Sequence, residues 1–576
     1  MFNYIKKHKS ETFFVSVITL FALILRLVAL YNFGDLWVDE LYSFYFANQN
    51  DPIEISKILY NEDFHVPLYF VLLHYWMKIF GQSDFILRLF GCLITTCSIP
   101  AIFYVCKNLF NGQTAYFSAL FFTISAFNMH YSAEVRFYGS AIFLSILSTY
   151  FFVKLTQCIV SKFYAFLYIL STLLFLYTYN FAFMFVFCEF LVGIFYLIKN
   201  NKSHLRDLLK VFWFIFILYL PVIFYIFHSF TTYRNALLSF FRDIFSFDLM
   251  FFYNFFLASY SNVFDQWMNN NVMQNDEILR NFFAPFVAIF MTLPIILGLV
   301  GIVKALISKN KSLILFFAPS VFLFLIQIIF VFGGILALNL RYTIIPVTIF
   351  TVVSMYGWSL FKNKKLSIVI FSLWLLINFG SLFCVNNSAI NRKIVYSGNL
   401  QEVLDKELNK NDCIFIPRFS KLIKKYVHNG KIYDFDTYDA FLLGIRPQDV
   451  EFIFGKNLAQ KLNRKMLKTY LYGYITSDVP SLALNEHLRN EYFSKLNQGQ
   501  RFVIITDETS YINDLDEIQK FITPIDVYRR SAIYYPLSAK ITYDIINSAM
   551  KELKFVKSIN INSYFSILIF EKSAQQ

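Results

Sequence analysis

A chain of 576 residues would make roughly four soluble domains at about 150 residues each, yet 57% of it is hydrophobic and only 15% is charged. Soluble domains average about 45–50% and about 25%, and the mean hydropathy here is +0.52. Disorder, fibrous repeats, a coiled coil and an ordinary cytosolic enzyme are excluded, and the chain reads as a polytopic α-helical membrane protein. The net charge is +13, and where it lies matters more than its size.

Taken in chain order, the N-terminus carries Lys6-Lys7-His8-Lys9 and then an apolar run from about Phe13 to Phe33. That run is too long for a signal-peptide core, and no small-residue cleavage site follows, so it reads as an uncleaved first membrane helix. A membrane helix needs about 20 mainly apolar residues. Further stretches that meet this lie near 85–106, 112–130, 138–157, 163–180, 181–198, 211–229, 283–303, 312–333, 337–360 and 366–386. The count is about eleven. The run 163–198 is continuous and too long for one span, and divides near Tyr179-Asn180. With the N-terminus inside, the short loops bearing Lys107, Lys154 with Lys162, Lys199 to Lys210, Lys304 to Lys311 and Lys362 to Lys365 all fall on the inner side. This is the charge bias expected of cytoplasmic loops.

Three long segments then fall outside: 34–84, 230–282 and a tail from about 388. The first holds a shorter apolar stretch, Pro67 to Phe80, which reads as an interfacial helix. If it spanned, the parity of the basic loops would invert. The tail is rich in charge, with strand-like runs at Cys413–Pro417, Phe502–Thr506 and Tyr564–Phe570 and amphipathic helices such as Leu404–Leu408 and Leu515–Ile522. The expected organisation is a membrane domain over 1–387 and a small α/β domain over 388–576 on the outer face. Cys92, Cys97, Cys106, Cys158 and Cys188 lie in apolar runs, where a thiol behaves as a small hydrophobe. Cys384 and Cys413 flank the start of the tail and could pair only in an oxidising compartment.

Ionisable residues beside membrane helices are costly and are functional candidates by default. Four clusters qualify, all on the predicted outer side. Trp37-Val38-Asp39-Glu40 places two carboxylates after the first helix, able to act as a general base or hold a cation; the bland alternative is a solvated loop start with a belt tryptophan. His65-Val66-Pro67-Leu68-Tyr69 offers an imidazole that could ligate a metal or bind phosphate or sugar, although a histidine before a proline is commonly a turn residue. Arg88 opens the next span and could neutralise an anion or simply snorkel. In Tyr131-Ser132-Ala133-Glu134-Val135-Arg136-Phe137-Tyr138, Glu134, Arg136 and Tyr138 alternate, so an extended segment would point all three one way. Arg341-Tyr342, after Asn339-Leu340 and before Pro346, presents a planar donor fork suited to phosphate. Asp434-Phe435-Asp436 looks like a nucleotide-sugar motif, but a nucleotide donor is not expected outside the cell. No Walker loop, dinucleotide-binding glycine motif or HExxH is present, so neither a nucleotide cofactor nor nucleic acid is expected.

These residues resemble the GT-C family of membrane glycosyltransferases, and more narrowly its bacterial protein-mannosyltransferase-like and aminoarabinose-transferase-like branch. The resemblance is carried, in order, by Asp39-Glu40 after an aromatic residue, His65-x-Pro67-Leu68-Tyr69, Leu87-Arg88-Leu89, Tyr131-Ser132-x-Glu134-x-Arg136-x-Tyr138, and Arg341-Tyr342 with Pro346. It implies transfer of a sugar from a polyprenyl-phosphate carrier to an envelope glycolipid, polysaccharide or protein at the outer face of the bacterial inner membrane, usually with inversion. By resemblance Asp39 is the catalytic carboxylate, with Glu40 and Glu134 as catalytic partners. Arg136, Arg341, Tyr138 and Arg88 would bind the donor phosphate. His65, Tyr69 and Tyr342 would face the acceptor, and His65 would be a weak metal ligand for a divalent ion that relatives often bind. The chain departs from many relatives at Val66, where they have proline, and around Tyr179, where they have a histidine.

Other classes compete. A lipid-linked-sugar flippase would place polar groups near the bilayer midplane, whereas charge here gathers at the outer boundary. An O-antigen ligase-like enzyme would keep its key arginines and histidine in a large late loop. A membrane scaffold predicts that Asp39→Asn changes no sugar modification.

Overall fold

A computed structural model describes residues 9–32, 35–36, 38–62, 65–157, 161–242, 290, 292–332, 340–384, 400–416, 423–433, 488–490, 492–506, 545–560 and 566–573. Trp37, Phe64, Cys158, Asn339, Asp434-Phe435-Asp436 and Leu515–Ile522 lie outside these residues, as does most of the second long loop, 230–282. So does the Cys384 side chain, on which its pairing with Cys413 would depend.

Helices lie over each of the eleven apolar stretches. They are α1 (Lys9–Asn32), α5 (Asp84–Leu109), the pair α6 (Gly112–Ile124) and α7 (Ala126–Ala133), α8 (Tyr138–Gln157), α9 (Lys162–Thr178), α10 (Ala182–Asn200), α11 (Leu205–Arg242), α12 (Leu293–Ile307), α13 (Lys311–Phe332), α14 (Ile344–Ser359) and α15 (Lys364–Cys384). Six of the described helices (α1, α5, α8, α10, α11 and α13) are long and apolar enough to cross a membrane by length and composition. The loop after α1 folds into α2 (Val38–Ala47), α3 (Pro52–Glu62) and the expected α4 (Leu68–Phe80).

The exposed residues show which faces look outward. On α1, Phe13, Val17, Leu20, Ile24, Val28 and Tyr31 are exposed; their spacing of three and four draws one apolar stripe along the helix. A stripe of that kind is stable against acyl chains. By contrast α14 is apolar on all sides and is buried along nearly its whole length, which makes it the centre of the bundle. Small residues let its neighbour approach: a Cβ added at Gly357 would lie 1.8 Å from the carbonyl oxygen of Leu297 on α12. Such backbone proximity is how membrane helices gain packing without a hydrophobic driving force.

One buried acid escaped the sequence reading. Glu189 of α10 is fully buried; its Oε2 accepts hydrogen bonds from the Tyr168 hydroxyl (2.8 Å) and the Ser148 hydroxyl (3.4 Å). Ser148 in turn is 3.1 Å from Thr172, so one acid ties α8, α9 and α10 together. Replacing it by alanine leaves those hydroxyls buried without their partner, an expected loss of about 1–3 kcal/mol. Glu189→Ala should therefore unfold at a lower temperature than wild type in detergent, while Glu189→Gln, which keeps an acceptor oxygen, stays close to wild type.

The polar tail contains one five-stranded sheet, ordered β2-β1-β3-β5-β4, from β1 (Cys413–Phe415), β2 (Lys431–Tyr433), β3 (Arg501–Thr506), β4 (Lys554–Asn560) and β5 (Ser566–Glu571). The strands β1, β3 and β5 match the predicted runs. The edge strands β2, of three residues, and β4, of seven, are too polar to stand out in the sequence. β1 pairs in parallel with both β2 and β3 (Cys413 opposite Lys431 and Phe502), while β5 runs antiparallel to β3 and β4 (Arg501 opposite Glu571). Burial along β3 and β5 is nearly continuous, as it must be for strands covered on both faces. The amphipathic α16 (Leu400–Glu407) buries Leu400 and Leu404, one turn apart.

Candidate active site

The third apolar stretch does not form one straight helix, and that break builds the site. Ser125 leaves helical geometry (φ −61°, ψ 120°), ends α6, and caps α7 by accepting from the Asn128 N–H. The carbonyl of Phe122, left without a helical partner by the break, accepts instead from the Arg26 guanidinium of α1 at 3.1 Å. The chain is thereby turned so that α7 delivers Glu134 and Arg136 to the mouth of α2. Residues 134–137 form a bend between two helices, so the alternation expected to point Glu134, Arg136 and Tyr138 one way is not what places them. Glu134 turns back to His130, with Oε1 to Nε2 at 2.9 Å, and Arg136 turns towards α2.

Asp39 and Glu40 sit in the first turn of α2. Neighbouring residues on a helix do not face the same way, and these two carboxylates have opposite environments. Glu40 is fully buried and takes a two-pronged ion pair from Arg88, Nε to Oε1 at 2.9 Å and Nη2 to Oε2 at 2.6 Å. Its Oε1 also accepts from the Val135 N–H at 2.9 Å. Burial pushes the Glu40 carboxyl above its usual range, and the Arg88 guanidinium opposes that shift. Arg88 also donates to the Asp35 carbonyl at 3.1 Å. Arg88 is 1% exposed; its guanidinium fastens α5 to α2 and to the Asp35 carbonyl, while Glu40 links α2 to the 134–137 bend.

Asp39 remains partly open, its side chain 27% exposed, and its Oδ2 accepts from Arg341 Nη1 at 2.8 Å. Arg341 lies in a single 3₁₀ turn, Leu340–Tyr342, whose backbone is held at both ends. The Tyr179 hydroxyl donates to the Arg341 carbonyl at 2.9 Å, and Gln327 donates to the Tyr342 carbonyl at 2.7 Å. The guanidinium lies 5.3 Å from the Tyr342 ring centre, and that ring packs on Phe181.

Arg136 is buried and acts as a clasp. It donates to the Asp39 carbonyl (3.2 Å) and the Ser43 hydroxyl (3.3 Å), and its Nη2 lies 3.1 Å from His65 Nε2. A guanidinium has no acceptor, so His65 Nε2 accepts here. The His65 carbonyl accepts from the Tyr225 hydroxyl of α11 at 2.7 Å, and the Val66 N–H donates to Asn180 at 3.2 Å. Nε2, one of the two imidazole nitrogens able to ligate a metal, thus faces a cation. Among the described residues no three His, Cys, Asp or Glu side chains converge on a metal position.

Tyr69 is 1% exposed and packs edge-on against Phe70 and Phe137. Its ring is packed into the protein beneath the His65 turn, among Phe70, Phe90 and Phe137. Tyr138 is likewise buried, edge-on to Tyr131 and Phe137. Asp39, His65, Arg341 and Tyr342 are the candidates that keep partial exposure. Sequence reading missed His130, whose i, i+4 spacing to Glu134 could have pointed to it. It also missed Tyr225 and Asn180, whose links to the His65 turn exist only in three dimensions.

Residues 64–227 match the model of the family described as dolichyl-phosphate-mannose-protein mannosyltransferase. The curated proteins give no significant match to the sequence. Among solved structures, ArnT from Cupriavidus metallidurans in the apo state matches with a TM-score of 0.54 at 10% identity, over 98% of this chain and 100% of that one. The same protein bound to undecaprenyl phosphate matches with a TM-score of 0.52 at 9% identity, over 97% and 98%. The Archaeoglobus fulgidus oligosaccharyltransferase in complex with Zn and sulfate gives 0.46 at 11% identity, over 97% and 88%. The resemblance read from the residues therefore holds at the level of the fold, which is the GT-C fold shared with ArnT, and residues 64–227 are similar to a family described as a glycosyltransferase.

Proposed function

We propose that this glycosyltransferase moves a sugar from a polyprenyl-phosphate carrier to an acceptor hydroxyl at the outer face of the bacterial inner membrane, with inversion. The observation that carries the reading is the pairing of a partly open carboxylate, Asp39, with a partly open arginine, Arg341, at the mouth of a helical bundle. In the proposed topology eleven spans put the N-terminus in the cytoplasm and the 388–576 α/β domain outside. Charge bias in the short loops supports it.

Arg341, with the Tyr342 ring beside it, takes the phosphate of the donor. A planar guanidinium meets two phosphate oxygens at once. The solved relative that holds undecaprenyl phosphate supports a carrier of that class here. When phosphate draws Arg341 away, Asp39 is released to accept a proton from the acceptor hydroxyl. The acceptor oxygen attacks the anomeric carbon, the bond from that carbon to the phosphate oxygen breaks, and the lipid phosphate leaves with its charge stabilised by Arg341. Arg136 keeps the start of α2 and the His65 turn in register, and Glu40 with Arg88 anchors the helix from below. Glu134 with His130 borders the acceptor side. Lipid A, an envelope polysaccharide and a protein are the acceptor classes that fit.

The test is mass spectrometry of envelope lipids and glycans from wild type, a deletion, and the deletion carrying Asp39→Asn at normal abundance. One sugar mass should vanish in the deletion and stay absent with the variant, and the molecule that lost it identifies sugar and acceptor. Full restoration by Asp39→Asn would remove Asp39 from the chemistry.

A further inference from the structure

We propose that a second cleft, between the first outer loop and the polar tail, binds the neutral oligosaccharide part of the acceptor. The term acceptor rests on the transferase reading above; the affinity of the cleft for a glycan stands apart from it. The cleft has a volume of about 900 Å³, within the range of small-molecule sites. It opens where the end of α2, the turn before α5, α16 and residues 424–428 meet.

Its lining is chemically specific. Asn48, Gln49, Gln82 and Gln401 bring four side-chain amides from three separate parts of the chain, and each amide can both donate and accept. Tyr45 adds a half-buried aromatic ring. Among the charges at the rim, Lys425 is paired with Asp84, and His428 lies 2.9 Å from Asp405. Asp35 accepts from the Gln401 N–H at 3.4 Å. An ionic ligand would have to break these pairs, and an acyl chain would strand the amides. Gln82 Nε2 donates to Asn48 Oδ1 at 3.1 Å and Gln49 Nε2 to the Tyr45 carbonyl at 2.6 Å; a polyhydroxylated neutral ligand can exchange these neutral bonds for equivalent ones, use the remaining amide groups, and lay an apolar ring face on Tyr45.

The position is informative too. Tyr45 and Asn48 lie six and nine residues beyond Asp39, about 9 Å and about 14 Å along the axis at 1.5 Å per helical residue. That is too far for the hydroxyl that reacts and suits outlying sugars of the same molecule. The walls are pinned together by the buried Tyr426, whose hydroxyl accepts from the Leu36 N–H at 2.7 Å and donates to Asp84 at 2.8 Å.

The experiment uses the full-length protein in lipid nanodiscs and, as probe, the lipid-free oligosaccharide released by mild acid from the envelope of the cells that make it. Titration calorimetry should show binding to wild type. The double variant Gln82→Ala, Gln401→Ala should bind at least about tenfold more weakly; both side chains are exposed, so the fold is not at risk. Tyr45→Ala should weaken binding similarly, and Asp39→Asn should bind like wild type while failing to transfer. No binding to wild type, binding of a hydrophilic peptide in place of the glycan, or an unchanged Kd in the double variant would overturn the proposal. A loss of transfer in Asp39→Asn bears on the chemistry alone, so the two readings fail separately.

Discussion

Asp39→Asn is expected to lower the transfer rate of the purified enzyme by about 10²–10⁴-fold, the contribution of a positioned general base. Asparagine has nearly the same shape and keeps an oxygen that can accept from Arg341, so the 2.8 Å contact seen for Asp39 can persist. What is lost is the ability to take a proton. The KM for a polyprenyl-phosphate-linked donor should stay level or fall, because Arg341 no longer divides its charge between a carboxylate and the phosphate. Loss of kcat without loss of donor affinity separates a base from a structural residue, which would lower both through misfolding. A kcat within about tenfold of wild type corresponds to only about 1.4 kcal/mol of barrier, and would sink the assignment.

Arg88→Ala is the second large effect, and it falls on stability. The change leaves the Glu40 carboxylate, fully buried, with the Val135 N–H but without its guanidinium. Breaking a buried pair from one side costs about 3–5 kcal/mol, a large fraction of the roughly 5–15 kcal/mol that holds a typical fold. Arg88→Ala should accumulate poorly and lose its monodisperse peak in fluorescence-detected gel filtration. The double replacement Glu40→Leu, Arg88→Met removes both charges and should recover most of the folded protein, since apolar groups of similar volume often substitute for a buried pair without loss. It should still transfer slowly, because the pair also sets the pitch of α2 and thereby the position of Asp39. An Arg88→Ala protein that is stable and shows only a raised donor KM would instead return Arg88 to the phosphate.

How much of this was legible beforehand differs by residue. Asp39 and Arg341 stood out because a charged residue next to a membrane span is costly and therefore conspicuous. Glu40 and Arg88 stood out for the same reason, and the structure pairs them with each other inside the protein. A charge that closes a buried pair and a charge that faces a ligand look alike in one dimension. The neighbouring positions 39 and 40 differ in function only because helix geometry turns one carboxylate outward and the other into the protein. The burial of Tyr69 was likewise not legible, since an aromatic side chain lines a site or packs beneath it with the same local sequence. Glu189 was passed over because it sits alone in an apolar run, and its partners Tyr168 and Ser148 are 21 and 41 residues away.

Hydropathy and charge bias by themselves determined that the chain is a helical membrane protein, where its helices lie, and that its charged clusters gather at one boundary. Those properties depend on composition within one turn or one span, so a linear reading captures them. Only the tertiary structure decided which charges meet. It broke the third stretch at Ser125 and met the orphaned Phe122 carbonyl with Arg26 from another helix. It brought Arg341 to Asp39 across 302 residues, and placed Gln401 of the tail beside the first outer loop. Contacts at such separations are set by helix packing and by the need to satisfy every buried polar group, and neither leaves a local trace in the sequence.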